Sequence, residues 1–245
     1  MVGLLVWKER RKGERAVTLR ERTVLHMRFL QAEVLREEKT PEALLRRRAV
    51  TALGKLRRQG ITRVVLPEDF RWDDLALRRG LQTVSTLPLR RRLAADWVRV
   101  ELEERKIPPG SARVAVAADN LTGEVVRTVT ELVLRHRHVM LDLPRGGEEL
   151  CRQLRREYGA AVLLGPSREQ IEAAEAVLLF DDRNIAAGKI CLRLYEEEQP
   201  LPRLLLPPLL EDQLPPGADR GQLLSALQEA GALKPGQVTL GGKER

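Results

Sequence analysis

Apolar and polar positions alternate along the first thirty residues. Leu4 to Trp7 form a short apolar run, and Val17 and Leu19 alternate with polar neighbours. Leu25, Met27 and Phe29 do the same, with His26 and Arg28 on the other face. A period of two predicts strands, here a small N-terminal β meander with Gly13 in a charged turn. The period then lengthens. Thr40-Pro41-Glu42 offers a hydroxyl N-cap, a proline at the first helical position and an acid in the first turn. Leu45, Ala49, Ala52, Leu53 and Leu56 fall on one stripe of the helix that follows, and Gly60 stops it. Ile61 to Leu66 reads as a buried strand ending at Pro67-Glu68-Asp69. A short helix over about 73–79 comes next. A longer one opens at Thr86-Leu87-Pro88, with Leu89, Leu93, Trp97 and Val100 on one wide side.

From residue 112 the pattern is regular. Apolar runs at 113–118, 139–143, 160–164 and 176–180 predict strands. Amphipathic stretches at 123–136 and 148–158, and a short one opened by the capping box Ser167-Arg168-Glu169-Gln170, predict the helices between them. Strands that alternate with helices through short loops pair in parallel. This stretch resembles a Rossmann-type unit at the level of fold. Further on, residues 190–195 read as another strand, and 200–216 as proline-rich loop with a short strand near Leu204. Asp219 caps a helix ending at Gly231, residues 238–240 add a terminal strand, and the last five residues fray. The fold class expected is α/β: a Rossmann-like, mostly parallel sheet with flanking helices, plus the N-terminal meander. The expected regions are a basic N-terminal part at 1–110, the βαβαβαβ unit at 111–182 and a Pro-rich segment at 183–245 that packs on the sheet.

Composition narrows the chemistry. The chain has 245 residues, two cysteines, three histidines and a formal charge of +8. Cys151 and Cys191 make neither a disulfide framework nor a zinc site. His136 and His138, at a helix end and a strand start, fit helix-terminal carbonyls better than a metal. No apolar run approaches the ~20 residues that span a bilayer. The short apolar start is followed by charge rather than preceded by it, the wrong order for a secretory signal. A cytoplasmic location is the expectation. Residues 1–106 hold 26 Lys and Arg against 15 Asp and Glu, a net +11, and the remainder is net acidic. Such asymmetry points to an anionic partner, a nucleotide or a nucleic acid, at the basic N-terminal half. Arg46-Arg47-Arg48, Arg57-Arg58, Arg78-Arg79 and Arg90-Arg91-Arg92 would supply the surface. Aromatic residues are scarce, however, and no nucleic-acid motif is present. Arg90 to Arg92 stand at a helix start, where the dipole disfavours cations; solvation or a bound anion would relieve the conflict.

Two turns carry candidate ligand-binding residues. Asp119-Asn120-Leu121-Thr122-Gly123 follows the first strand of the unit and opens a helix, the place where backbone N–H groups meet phosphate in dinucleotide-binding folds. Asp142 ends the next strand, about where such folds place the acid that holds a ribose. The G-x-G-x-x-G fingerprint is missing, and Asp119 would turn a negative charge toward phosphate. An ordinary turn, with Asp119 or Thr122 capping the helix, is the plainer reading. The second turn is Arg145-Gly146-Gly147, whose glycines permit close backbone approach and whose arginine would clamp an anion; equally, the glycines only relax the turn. Acids at predicted strand ends (Glu68, Asp69, Asp119, Asp142, Asp181 and Asp182) would gather a hard cation if their strands were adjacent. With no nucleophile, base or metal set in view, the expected function is a non-catalytic binding or interaction protein with a degenerate Rossmann-like phosphate turn. The alternatives are a nucleotide- or NAD(P)-dependent enzyme and a basic-surface nucleic-acid binder.

Overall fold

The computed structural model describes residues 1–9, 15–183 and 189–242, with only the backbone of Asp73. Gly13 and Lys243-Glu244-Arg245 lie outside the described residues. In chain order, β1 (Val2–Glu9), β2 (Val17–Val24) and β3 (Met27–Arg36) precede α1 (Glu42–Arg58), β4 (Arg63–Val65), α2 (Asp73–Arg78) and β5 (Gln82–Thr83). Helices α3 (Leu87–Arg92) and α4 (Ala94–Glu104) lead into β6 (Arg113–Ala117), α5 (Gly123–Val133), β7 (His138–Asp142), α6 (Gly147–Tyr158) and β8 (Val162–Leu164). Then come α7 (Arg168–Glu172), β9 (Ala176–Leu179), β10 (Ile190–Arg193), β11 (Arg203–Leu205), α8 (Pro208–Glu211), α9 (Arg220–Glu229) and β12 (Thr239–Gly241). Contacts gather these elements into two units, Met1–Thr86 with Leu206–Val238 and Leu87–Leu205 with Thr239–Arg245.

Unit 1 is built on a sheet of order β2-β3-β1-β4-β5. β2 and β3 are the antiparallel strands expected near the N-terminus. β1 does not continue their meander. It runs parallel to β3 and β4 in the middle of the sheet, as its unbroken buried run from Val2 to Val6 demands. The hairpin turn falls at Leu25-His26, both with positive φ (45° and 69°), so Leu25 belongs to the turn and not to an alternating strand. The stripe of α1 is buried as the pattern requires, and Leu53 and Leu56 pack with Leu5, Ala32 and Val34 of the sheet. Full burial of one such leucine contributes roughly 2 kcal/mol. Pro41, not Thr40, is the N-cap; the Thr40 hydroxyl accepts instead from the Glu37 N–H. α9 starts at Asp219, whose carboxylate accepts from the Gln222 N–H, and the Gln222 side chain in turn accepts from the Leu66 N–H.

Unit 2 holds the regular stretch. Its sheet has the order β10-β9-β6-β7-β8, and all four pairings are parallel. The helix expected from Thr86 breaks at Leu93 into α3 and α4. The wide apolar side of α4 is explained, because it packs against α5, β9, β10 and β12. Thr122 caps α5 and Ser167 forms the expected capping box of α7. The short strand near Leu204 and the terminal strand pair with each other, antiparallel. The four-residue α8 stands inside the stretch read as loop.

Candidate functional site

The strand order of unit 2 creates a reversal. From β6 the chain moves outward through β7 and β8, then returns past β6 to β9 and β10. Ligands of open parallel sheets bind at such a switch point, outside the carboxyl ends of the strands. Here the loops after β6 and β9 meet. The Asp119 N–H donates to Asp181 Oδ2 at 2.7 Å. Arg183 reaches back across the edge: Nε and Nη2 donate to Asp119 Oδ1 at 3.1 and 2.5 Å, and Nη1 donates to Asp142 Oδ2 at 2.5 Å. Its side chain is 16% exposed, against 29% for Asp142 and 60% for Asp119. One guanidinium therefore ties together the two carboxylates singled out in the sequence. Arg183 itself was not singled out; its signal was its place directly after Asp181-Asp182.

The remaining turn residues have structural partners. The Thr122 hydroxyl accepts from the Val125 N–H, so one free donor at the start of α5 is used internally. Glu124 supplies negative charge in the first turn and pairs with Arg91. With Asp119 and Asp181 nearby, this end of α5 is already provided with anions, which disfavours phosphate there. Gly123 opens α5 with open space where a Cβ would stand. Asn120 Oδ1 accepts from Arg145 Nη1 at 3.5 Å. Gly146 has φ +83°, and a Cβ there would stand 2.9 Å from Leu121; at Gly147 it would stand 2.6 Å from Leu164 Cδ1. Close packing in the βα turn thus uses both glycines. Beside them, Asp142, Arg152, Glu148 and Gly165 line a cavity of about 480 Å³.

Of the six strand-end acids, Glu68 and Asp69 follow β4 and belong to unit 1. Asp69 accepts from Trp7 Nε1 at 2.6 Å and pairs with Arg36. Among the described residues no group of three His, Cys, Asp or Glu could hold a metal ion. Within unit 1, Trp7, Phe70 and Trp72 cluster with ring centroids 6.0 and 5.5 Å apart, although Trp7 is far from the other two in the sequence. Because the helix breaks at Leu93, Arg90, Arg91 and Arg92 stand in the last turn of α3, where the dipole favours cations, and the conflict expected at a helix start does not arise. Arg90 is buried and donates to the carbonyls of Gln199 and Glu197, and Arg91 donates to that of Leu194. Arg48 and Arg57 likewise donate to the carbonyls of Leu35 and Ile61; Arg46, Arg47, Arg57 and Arg58 are the exposed members of the basic set on α1.

No helix among the described residues is long and apolar enough to cross a membrane. No protein-family model matches the chain, and no curated protein matches it. Among solved structures it is similar to the crystal structure of L-tryptophan dehydrogenase from Nostoc punctiforme, at 15% identity and a TM-score of 0.27. The match covers 61% of this chain and 44% of that one, less than half its length. At that level the likeness bears on neither activity nor ligand, and the α/β, Rossmann-like character of unit 2 rests on its own parallel strands.

Proposed function

We propose that the chain is a non-catalytic α/β binding or interaction protein whose Rossmann-like strand ends no longer receive a phosphate group. The observation that carries this reading is Arg183, which bridges Asp119 and Asp142 where a dinucleotide would lie across the edge. A ligand phosphate would have to displace that guanidinium and then face the carboxylates it leaves behind. Among the described residues, no Ser/His/acid or Cys/His pair stands at the edge to perform nucleophilic chemistry. A cytoplasmic setting belongs to the same proposal, supported by the two free thiols Cys151 and Cys191. The test is turnover: purified protein is assayed for hydride transfer with NAD(P)H and for nucleotide hydrolysis with Mg²⁺. Background rates that Asp142→Ala leaves unchanged agree with the proposal. Turnover that Asp119→Ala or Asp142→Ala abolishes ends it.

A nucleotide- or NAD(P)-dependent enzyme is the second reading. Asp142 at the end of the strand next to β6, and the cavity beside Gly146 and Gly147, favour it. Thermal shift with NAD⁺, NADP⁺ and ATP, with and without Mg²⁺, separates the two. A concentration-dependent rise in melting temperature supports the second reading, and a flat response supports the first.

A further inference from the structure

The opposite edge of the same sheet carries a different feature. Arg113, His138 and Val162 are the first residues of β6, β7 and β8, and all three line a cavity of about 960 Å³. That volume suits a small organic molecule. Its wall includes Val133, Val139, Met140 and Leu163, and half-exposed Tyr158 at the end of α6. Leu163 is 46% exposed on β8, the outer strand of the sheet, so apolar surface there lacks cover. Arg137 and His138 are exposed on the same lining, and Glu169 is its acid.

His136 gives the cavity a specific requirement. It lines the space and is only 5% exposed. Its Nδ1 lies 3.2 Å from the Pro109 carbonyl oxygen. A carbonyl only accepts, so Nδ1 carries the hydrogen and donates. Burial pushes the imidazole pKa down, against a smaller upward pull from the Pro109 carbonyl, which keeps the ring neutral near pH 7. Nε2 is then a bare acceptor, and it is buried with no hydrogen-bond partner. A buried polar atom in this state costs about 1–3 kcal/mol, and a ligand N–H or O–H would recover part of that. Nε2 is itself closed off from water, so a side chain of the lining must shift to admit such a group.

We propose that this amino-edge cleft is a binding site for a small molecule with a ring-sized apolar body, an N–H or O–H donor for His136 Nε2, and an anionic group for Arg137. It is independent of the strand-end cluster around Arg183 and does not depend on how that cluster functions.

The probe is an anilinonaphthalene sulfonate whose amine and sulfonate stand at opposite ends of the rings, compared with its N-methyl counterpart, which lacks the N–H. Fluorescence titration of the full chain is expected to show one saturable site. The N–H form should bind about tenfold tighter, the worth of one hydrogen bond to a buried acceptor. Ala161→Trp, which fills the cleft from an exposed wall position, and Arg137→Glu should each weaken binding about tenfold with the circular dichroism unchanged. His136→Phe should abolish the preference between the two probes. Absence of saturable binding, equal affinity of the two probes for the native chain, or indifference to both Ala161→Trp and Arg137→Glu would each overturn the proposal. The native-chain comparison stands even if His136→Phe fails to fold.

Discussion

Removing the Arg183 side chain tests the geometry of the strand-end cluster, because its two partners differ in burial. The bond to Asp142 joins side chains 16% and 29% exposed, whereas Asp119 is 60% exposed. Two unit charges in contact near a protein surface attract by roughly 4 kcal/mol, but desolvation and side-chain ordering consume most of that. Exposed pairs measured by double-mutant cycles give about 0.2–1 kcal/mol. The Arg183–Asp142 coupling should therefore lie near the top of that range, about 1 kcal/mol, and the Arg183–Asp119 coupling near its bottom, about 0.3 kcal/mol, because water screens it. The assay is urea unfolding of Arg183→Ala, Asp142→Ala, Asp119→Ala and the two double variants. A chain with two units need not unfold in one step, so the probe must report on unit 2 alone. Trp97 lies in unit 2, and Trp7 and Trp72 lie in unit 1. A Trp7→Phe, Trp72→Phe background leaves Trp97 as that reporter. A coupling to Asp119 equal to or larger than that to Asp142, or no coupling to either, would refute the reasoning.

Other outcomes follow from the same contacts. The folded-state pKa of His136 is lowered by burial from its ordinary 6.5, so below about that pH the unfolded chain binds a proton that the folded chain refuses. Stability of unit 2 should then fall as pH drops from the ordinary imidazole value toward the folded one. In His136→Phe this part of the pH profile, read by Trp97 fluorescence, should be flat. Glu33 is buried and meets Lys8, Arg20 and the Gln31 amide. Lys8 and Arg20 keep access to water, so Glu33→Ala should cost unit 1 about 1–3 kcal/mol, chiefly by leaving the buried Gln31 amide without its acceptor, and Glu33→Gln distinctly less, in urea unfolding followed by Trp7 and Trp72. His26 sits at φ +69° in the hairpin turn. His26→Gly should stabilise unit 1 by about 0.5–1 kcal/mol in the same assay, since glycine adopts that conformation freely.

What could be read in advance was governed by range. The parallel sheet of unit 2 was legible because each strand and helix declares itself within about a dozen residues, and alternation of the two leaves few ways to pair. The cap at Thr122 and the capping box at Ser167 are local and were legible for the same reason. The hairpin turn was missed because Leu25-His26 carries neither glycine nor asparagine, and the alternation of apolar residues runs through it unbroken. The middle position of β1 was marked only by its unbroken apolar run, which signals burial on both faces but does not say that its partners are β3 and β4. At the candidate site, Asp119 and Asp142 could be brought together from strand ends alone. Arg183 could not, because its partners lie 64 and 41 residues away. Separations of 103 to 109 residues likewise hid the carbonyls of Leu194, Glu197 and Gln199 that receive Arg90 and Arg91.

The Arg183 guanidinium, bound to Asp119 and Asp142, is what would hold the strand ends closed against a phosphate ligand. The direct measurement is a two-dimensional ¹H–¹⁵N spectrum of the arginine Nε–H groups, with the Arg183 signal assigned by its loss in Arg183→Lys. The expected result is a sharp, exchange-protected resonance that millimolar NAD⁺ or Mg·ATP leaves in place. A resonance that exchanges with water as freely as an exposed arginine, or that moves saturably with either nucleotide, would contradict the account.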